Sequence, residues 1–223
     1  VYVPQRNLGG DVWFDLLAQQ GRELDRALEN IVLDDVDTVI SPKDIFFPQL
    51  ESIFEFSGGK IKEMFESSPK LIFGVRSCDL KGILFVDDFY KRNLEDKYYL
   101  SRIQNRLIVV KGCLNPPRSS CFCTSTETGP FADAGYDLQL IETQDSYVVE
   151  MGSEKGEEFI KKYTGFFNDS SGEADKIVAQ EKKKAAESLE LKVDFPEALR
   201  QMKQEDFNPE ENYRRIGERC LYC

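Results

Sequence analysis

Cysteine is the residue type in this sequence whose pattern can do chemistry, and histidine is absent altogether. Four of the six cysteines, Cys78, Cys113, Cys121 and Cys123, fall within residues 71–130. The run Cys113-x7-Cys121-x-Cys123 sits among Pro116, Pro117 and several serines, a polar setting unlike that of core-filling thiols. A thiolate is both a nucleophile and a metal ligand. With no histidine, Cys–His and Ser–His nucleophile pairs and mixed Cys/His zinc sites are unavailable to this chain. Any metal held here is held mainly by thiolates.

Disulfides fit poorly, because they need an oxidising compartment and Cys121 and Cys123 are too close in sequence to pair easily with each other. Structural zinc normally takes cysteines in C-x2-4-C pairs, a spacing that the x7 and x1 gaps do not make. Iron–sulfur clusters tolerate irregular gaps, since their ligands arrive from several loops. The last residues, Cys220-x2-Cys223, are ambiguous, because C-x2-C opens zinc knuckles, redox motifs and ferredoxin runs alike. A sequence ending on that second cysteine reads as a C-x2-C-x2-C-x3-C run cut short.

Two apolar runs, 71–75 and 107–110, must position the first four cysteines. Short runs of this kind, bounded by turn residues, predict buried strands of a parallel sheet. Each is followed within a few residues by a cysteine, which puts Cys78 and Cys113 at the same carboxyl edge, where open α/β sheets bind ligands. Leu80, Ile83, Leu84 and Val86 predict an amphipathic helix over 79–90, with Asp79 in its first turn and Cys78 at its N-terminus.

Elsewhere, 1–10 reads as an extended opening segment closing in a Gly9-Gly10 turn, followed by a helix over 21–30. Residues 41–43 read as a turn and 50–56 as a short strand or helix ending at Gly58-Gly59. Phe46, Phe47, Phe54 and Phe56 are expected in the core. The charged, tyrosine-rich connector 91–106 is expected on the surface. Residues 136–142 and 146–150 predict an antiparallel pair, and 154–163 a helix. Residues 173–191, with Lys182, Lys183 and Lys184, and then 196–203, predict charged helices that read as a solvated connecting arm.

The composition sets outer bounds. With 31% charged and 41% hydrophobic residues, the chain is expected to be a soluble globular protein, and no run approaches the ~20 apolar residues that cross a bilayer. No secretion signal is recognisable, so a cytoplasmic location is expected. A net charge of −11 argues against nucleic-acid and anionic-lipid partners. Neither G-x-G-x-x-G nor G-x-x-x-x-G-K-[ST] occurs, so a nucleotide or flavin cofactor is expected on a partner.

Taken in order from residue 37 to 223, the blocks DTVISPKDIFFPQLESIFEF, FGVRSCDLKGI, GCLNPPRSSCFCTSTETGP, GYDLQL, VVEMGSEKGEE and ERCLYC resemble the β subunit of sulfhydrogenases and the A subunit of anaerobic sulfite reductases. That resemblance implies an iron–sulfur electron-transfer subunit, with no catalytic residue of its own, relaying electrons between a flavin-containing, NAD(P)H-linked subunit and a catalytic hydrogenase or reductase subunit. It also implies that Cys220 and Cys223 are the first two ligands of a ferredoxin-type [4Fe–4S] domain. Count and placement then suggest Cys78, Cys113, Cys121 and Cys123 as ligands of one additional [4Fe–4S] cluster, with Arg76, Ser120, Phe122 and Thr124 around it.

The expected architecture is an α/β domain over 1–170, built on a mixed, largely parallel sheet with flanking helices. A helical arm over 171–217 then leads into a truncated ferredoxin-like domain at 218–223. Two other readings stay open: a zinc-stabilised scaffold, and a thiol enzyme using Cys78 at its helix terminus, which lacks a histidine base.

Overall fold

The computed structural model describes residues 1–17, 21–34, 37–92, 94–144, 146–170, 172–204 and 207–219, with backbone alone at 21–23 and 26. The elements run β1 (Tyr2–Arg6), β2 (Val12–Leu16), α1 (Gly21–Glu29), β3 (Phe54–Ser57), β4 (Lys60–Glu63), β5 (Lys70–Val75), α2 (Ser77–Lys91) and α3 (Lys97–Ile103). They continue with β6 (Arg106–Lys111), β7 (Leu138–Glu142), β8 (Tyr147–Met151), α4 (Glu154–Lys162), α5 (Gly172–Glu187), α6 (Phe195–Met202) and α7 (Pro209–Gly217).

Six strands form one sheet in the order β2-β1-β5-β6-β7-β8. Its inner four strands are parallel, and an antiparallel strand closes each side. The sheet is therefore mixed and largely parallel, as the two apolar runs predict. β5 and β6 pair from Lys70↔Arg106 to Val75↔Val110 with a bulge between Phe73 and Val75, so their carboxyl ends finish side by side. The opening segment is itself a strand: β1 pairs with β5 at Tyr2↔Ile72 and turns back into β2, with the Asn7 side chain accepting from the N–H groups of Gly9 and Asp11.

One core lies between the sheet and α2, α3 and the short 3-10 turn at Pro42–Ile45, with Phe46, Ile72, Leu80, Ile83, Tyr99, Ile108 and Val110 buried. The connector 91–106 departs from its expected surface position. It contains α3, capped by the Asp96 carboxylate, which accepts from the N–H groups of Tyr98 and Tyr99 at 2.9 Å each. Tyr99, Arg102 and Ile103 are buried there. Their polar atoms are satisfied, which makes this burial tolerable: Tyr99 donates to Asp87 at 2.6 Å, Arg106 pairs with the same carboxylate, and Arg102 donates to the Phe46 carbonyl at 2.7 Å.

Of the four aromatics expected in the core, only Phe46 is there; Phe47, Phe54 and Phe56 are exposed. For Phe54 and Phe56 the cause is a further hairpin. Gly58 and Gly59 take φ of 58° and 76°, the backbone of a two-residue turn that only glycine adopts freely. They fold β3 against β4 as a separate two-stranded sheet, apart from the main one.

A second cluster joins Phe131 and Ile141 to Val178 and Ala185 of α5. Val178 and Ala185 are seven residues apart and share one helix face. The charged pattern of α5 is thus a solvated surface on one side and an apolar seam on the other. Lys182 reinforces the seam with hydrogen bonds of 2.7 and 2.9 Å to the Glu150 carboxylate on β8.

Candidate metal centre

β5 delivers its chain directly into α2, so Cys78 is the second residue of that helix and lies at the carboxyl edge of the sheet. Cys113 follows β6 by two residues, beside it. The end of β6 is anchored by Lys111, whose ammonium pairs with Asp34 at 2.9 Å and Glu142 at 3.0 Å. Gly112 comes next because a Cβ there would fall 2.0 Å from the ring of Phe131. The aromatic ring therefore packs directly under the strand end that carries Cys113.

Cys121 and Cys123 occupy the long β6–β7 loop, which folds back on itself. Cys113 N–H donates to the Pro130 carbonyl at 3.2 Å, Cys121 N–H to Arg118 at 3.0 Å, and Thr128 N–H to the Cys123 carbonyl at 2.9 Å. The Ser77 hydroxyl donates to the Thr128 carbonyl at 2.6 Å and ties this loop to the start of α2. These bonds bring all four cysteines to the wall of one cavity of about 220 Å³.

Arg76, Ser120 and Phe122 line the same cavity, and so do Ser77, Pro116, Pro117, Thr126, Thr128, Ala185 and Leu189. Thr124 stands apart from this lining: its hydroxyl accepts from Lys192 at 3.3 Å. Cys220 and Cys223 lie outside the described residues. Sequence reasoning misses Ala185 and Leu189. Their signal is the i, i+4 spacing of two apolar residues within a charged helix and its exit.

The segment after α5 closes over the cysteine loop. Val193 N–H donates to the Ser125 hydroxyl at 2.9 Å, and the rings of Phe122 and Phe195 lie 6.4 Å apart. Leu189 is buried. The cavity is consequently bounded by the β6–β7 loop, the first turn of α2 and the exit of α5.

Cys78 is exposed to solvent through the cavity, yet the protein crowding its other sides pushes the thiol up to about 11, with Asp79 adding to the effect and Arg76 opposing it. Burial likewise pushes Cys113 up to about 11, again against the pull of Arg76. Cys123 is raised by burial and then by Cys121, with Lys192 among the opposing influences. Unligated, these thiols are neutral at pH 7. Metal coordination displaces their protons, as it does for thiolate ligands in general.

Among the described residues, no three cysteine, aspartate or glutamate side chains approach closely enough to hold a single metal ion. The four thiols line one shared space, and that space is several times the ~30 Å³ share of one water in the liquid. Four cysteines lining one cavity are a donor set of the kind that iron–sulfur clusters take. Arg76 fits the same picture, because its Nε is buried and has no hydrogen-bond partner among the described residues.

Fold and site together define an α/β protein with a thiol-lined cavity at the carboxyl edge of its parallel strands. Over 197 residues, 88% of this chain, the sequence is 30% identical to sulfhydrogenase 2 subunit beta of Pyrococcus furiosus strain ATCC 43587. The chain spans 58% of that relative's length. No protein-family model matches the chain, and no solved structure does. Among the described residues, no helix is long and apolar enough to cross a membrane.

Proposed function

We propose that this chain is an iron–sulfur electron-transfer subunit of a multi-subunit oxidoreductase of the hydrogenase, sulfur-reductase or sulfite-reductase type. It relays electrons between a flavin-containing, NAD(P)H-linked subunit and a catalytic subunit. Cys78, Cys113, Cys121 and Cys123 hold one [4Fe–4S] cluster, and Cys220 and Cys223 begin the ligand set of a ferredoxin-type domain. The observation that carries this reading is the single cavity lined by four thiols from two strand ends and one loop. The relationship to a sulfhydrogenase β subunit supports it independently.

A bound [4Fe–4S] cluster supplies a one-electron couple whose potential depends on charge, hydrogen bonding and solvent exposure. The chain's own residues provide the rest. The four cysteines release their protons and hold the ligand set on rigid strand ends and a hydrogen-bonded loop. Pro116, Pro117, Phe122, Ala185 and Leu189 give the cavity apolar walls, which lower the local dielectric and strengthen the fixed charges beside them. Ser77 commits its hydroxyl to the Thr128 carbonyl and so keeps loop and helix in register.

Metal analysis and visible spectroscopy of anaerobically purified protein test this reading. The expected result is a brown protein containing iron, with broad visible absorbance that bleaches on reduction. A colourless protein containing stoichiometric zinc would overturn it and leave a structural scaffold in its place.

A further inference from the structure

Arg76 is held in an unusual way. Its side chain is 15% exposed, and its two ion pairs are long: Nη2 to Asp37 at 3.8 Å and Nε to Asp79 at 3.7 Å. Both separations exceed hydrogen-bond reach. Each carboxylate has a closer donor elsewhere, since Arg118 pairs with Asp37 and the Ser41 hydroxyl donates to Asp79 at 3.2 Å. Among the described residues Arg76 Nε is therefore buried without a hydrogen-bond partner, while the residue lines the cysteine cavity. A buried donor without an acceptor is costly, and more so on a charged group.

We propose that Arg76 sets the reduction potential of the four-thiol cluster by placing its guanidinium charge at the cavity wall, with Asp37 and Asp79 as the opposing charges. This inference rests on the cluster reading above. Thiolate and sulfide sulfurs accept hydrogen bonds, and such bonds are a principal control of cluster potential. Reduction adds one electron to an anionic centre, so a fixed neighbouring cation favours the reduced form and a fixed carboxylate disfavours it. Arg76 precedes Cys78 by two residues and lines the cavity with Cys113, which places that cation near two of the four ligands.

Redox titration followed by electron paramagnetic resonance, on anaerobically prepared protein of known iron and sulfide content, tests the proposal. Arg76→Met is expected to disfavour reduction about tenfold, a downward shift of about 59 mV for a one-electron couple. Arg76→Lys keeps the charge without the planar donor fork and is expected to shift less. Asp37→Asn removes an opposing charge and is expected to shift upward. An Arg76→Met protein with wild-type iron, sulfide and midpoint would overturn the proposal. If that variant does not load, wild-type midpoints in both Arg76→Lys and Asp37→Asn would overturn it equally. Absence of iron and sulfide from the wild-type protein would instead overturn the cluster reading itself.

Discussion

A thiol and a hydroxyl differ little in size but greatly in affinity for iron, so serine substitution separates ligation from packing. Cys113→Ser, at a partly exposed position whose thiol donates to the Asn115 carbonyl at 3.0 Å, is expected to change unliganded stability by less than about 1 kcal/mol. The same change should remove most of the bound iron; denaturant unfolding and iron analysis on one preparation check both halves. Tyr99 makes a second residue-scale test, remote from the cysteines. Burial, and then its hydrogen bond to Asp87, raise the phenol well above its ordinary value of 10.0. A raised folded value means that the associated stability is complete below pH 10.0 and falls as pH rises above it. Tyr99→Phe should flatten this alkaline loss, seen by thermal melts between pH 9 and about 11, while costing about 2 kcal/mol at neutral pH because Asp87 loses a donor.

At the scale of elements, β5 and β6 are legible in the sequence because both faces of an inner parallel strand are covered, leaving the continuous apolar runs at 71–75 and 107–110. The helix carrying Cys78 is legible for a related reason, as Leu80 and Ile83 recur at helical spacing on a buried face. The hairpin of β3 and β4 is not, because its residues are exposed on both strands and Phe54 and Phe56 mimic a core pattern. Burial of α3 is hidden by its composition, since Tyr99 and Arg102 are buried through tertiary hydrogen bonds that no local pattern announces. The docking of α5 is hidden too: Val178, Ala185 and Leu189 are few among many charges. That docking carries a prediction. Leu189→Ala should cost about 2 kcal/mol, the low end for truncating a buried leucine, and should open the cavity. Hydrogen exchange is expected to rise over 185–195 with the sheet unchanged, and cluster bleaching in air to accelerate.

At the scale of the whole molecule, one sheet edge, one long loop and one helix exit enclose a space with four thiols on its wall and a buried cation beside it. The cysteine spacing signals a thiolate site without distinguishing a shared cavity from separate thiols. The loop's return through Cys113 and Pro130 decides that, and it is a tertiary feature. The most direct measurement is the iron and acid-labile sulfide content of anaerobically prepared residues 1–223 carrying Cys220→Ser and Cys223→Ser, a polypeptide whose remaining cysteines are the four of the cavity. About four irons and four sulfides per chain, the content of one [4Fe–4S] cluster, are the predicted result. Protein free of iron and sulfide after the same preparation would contradict the account.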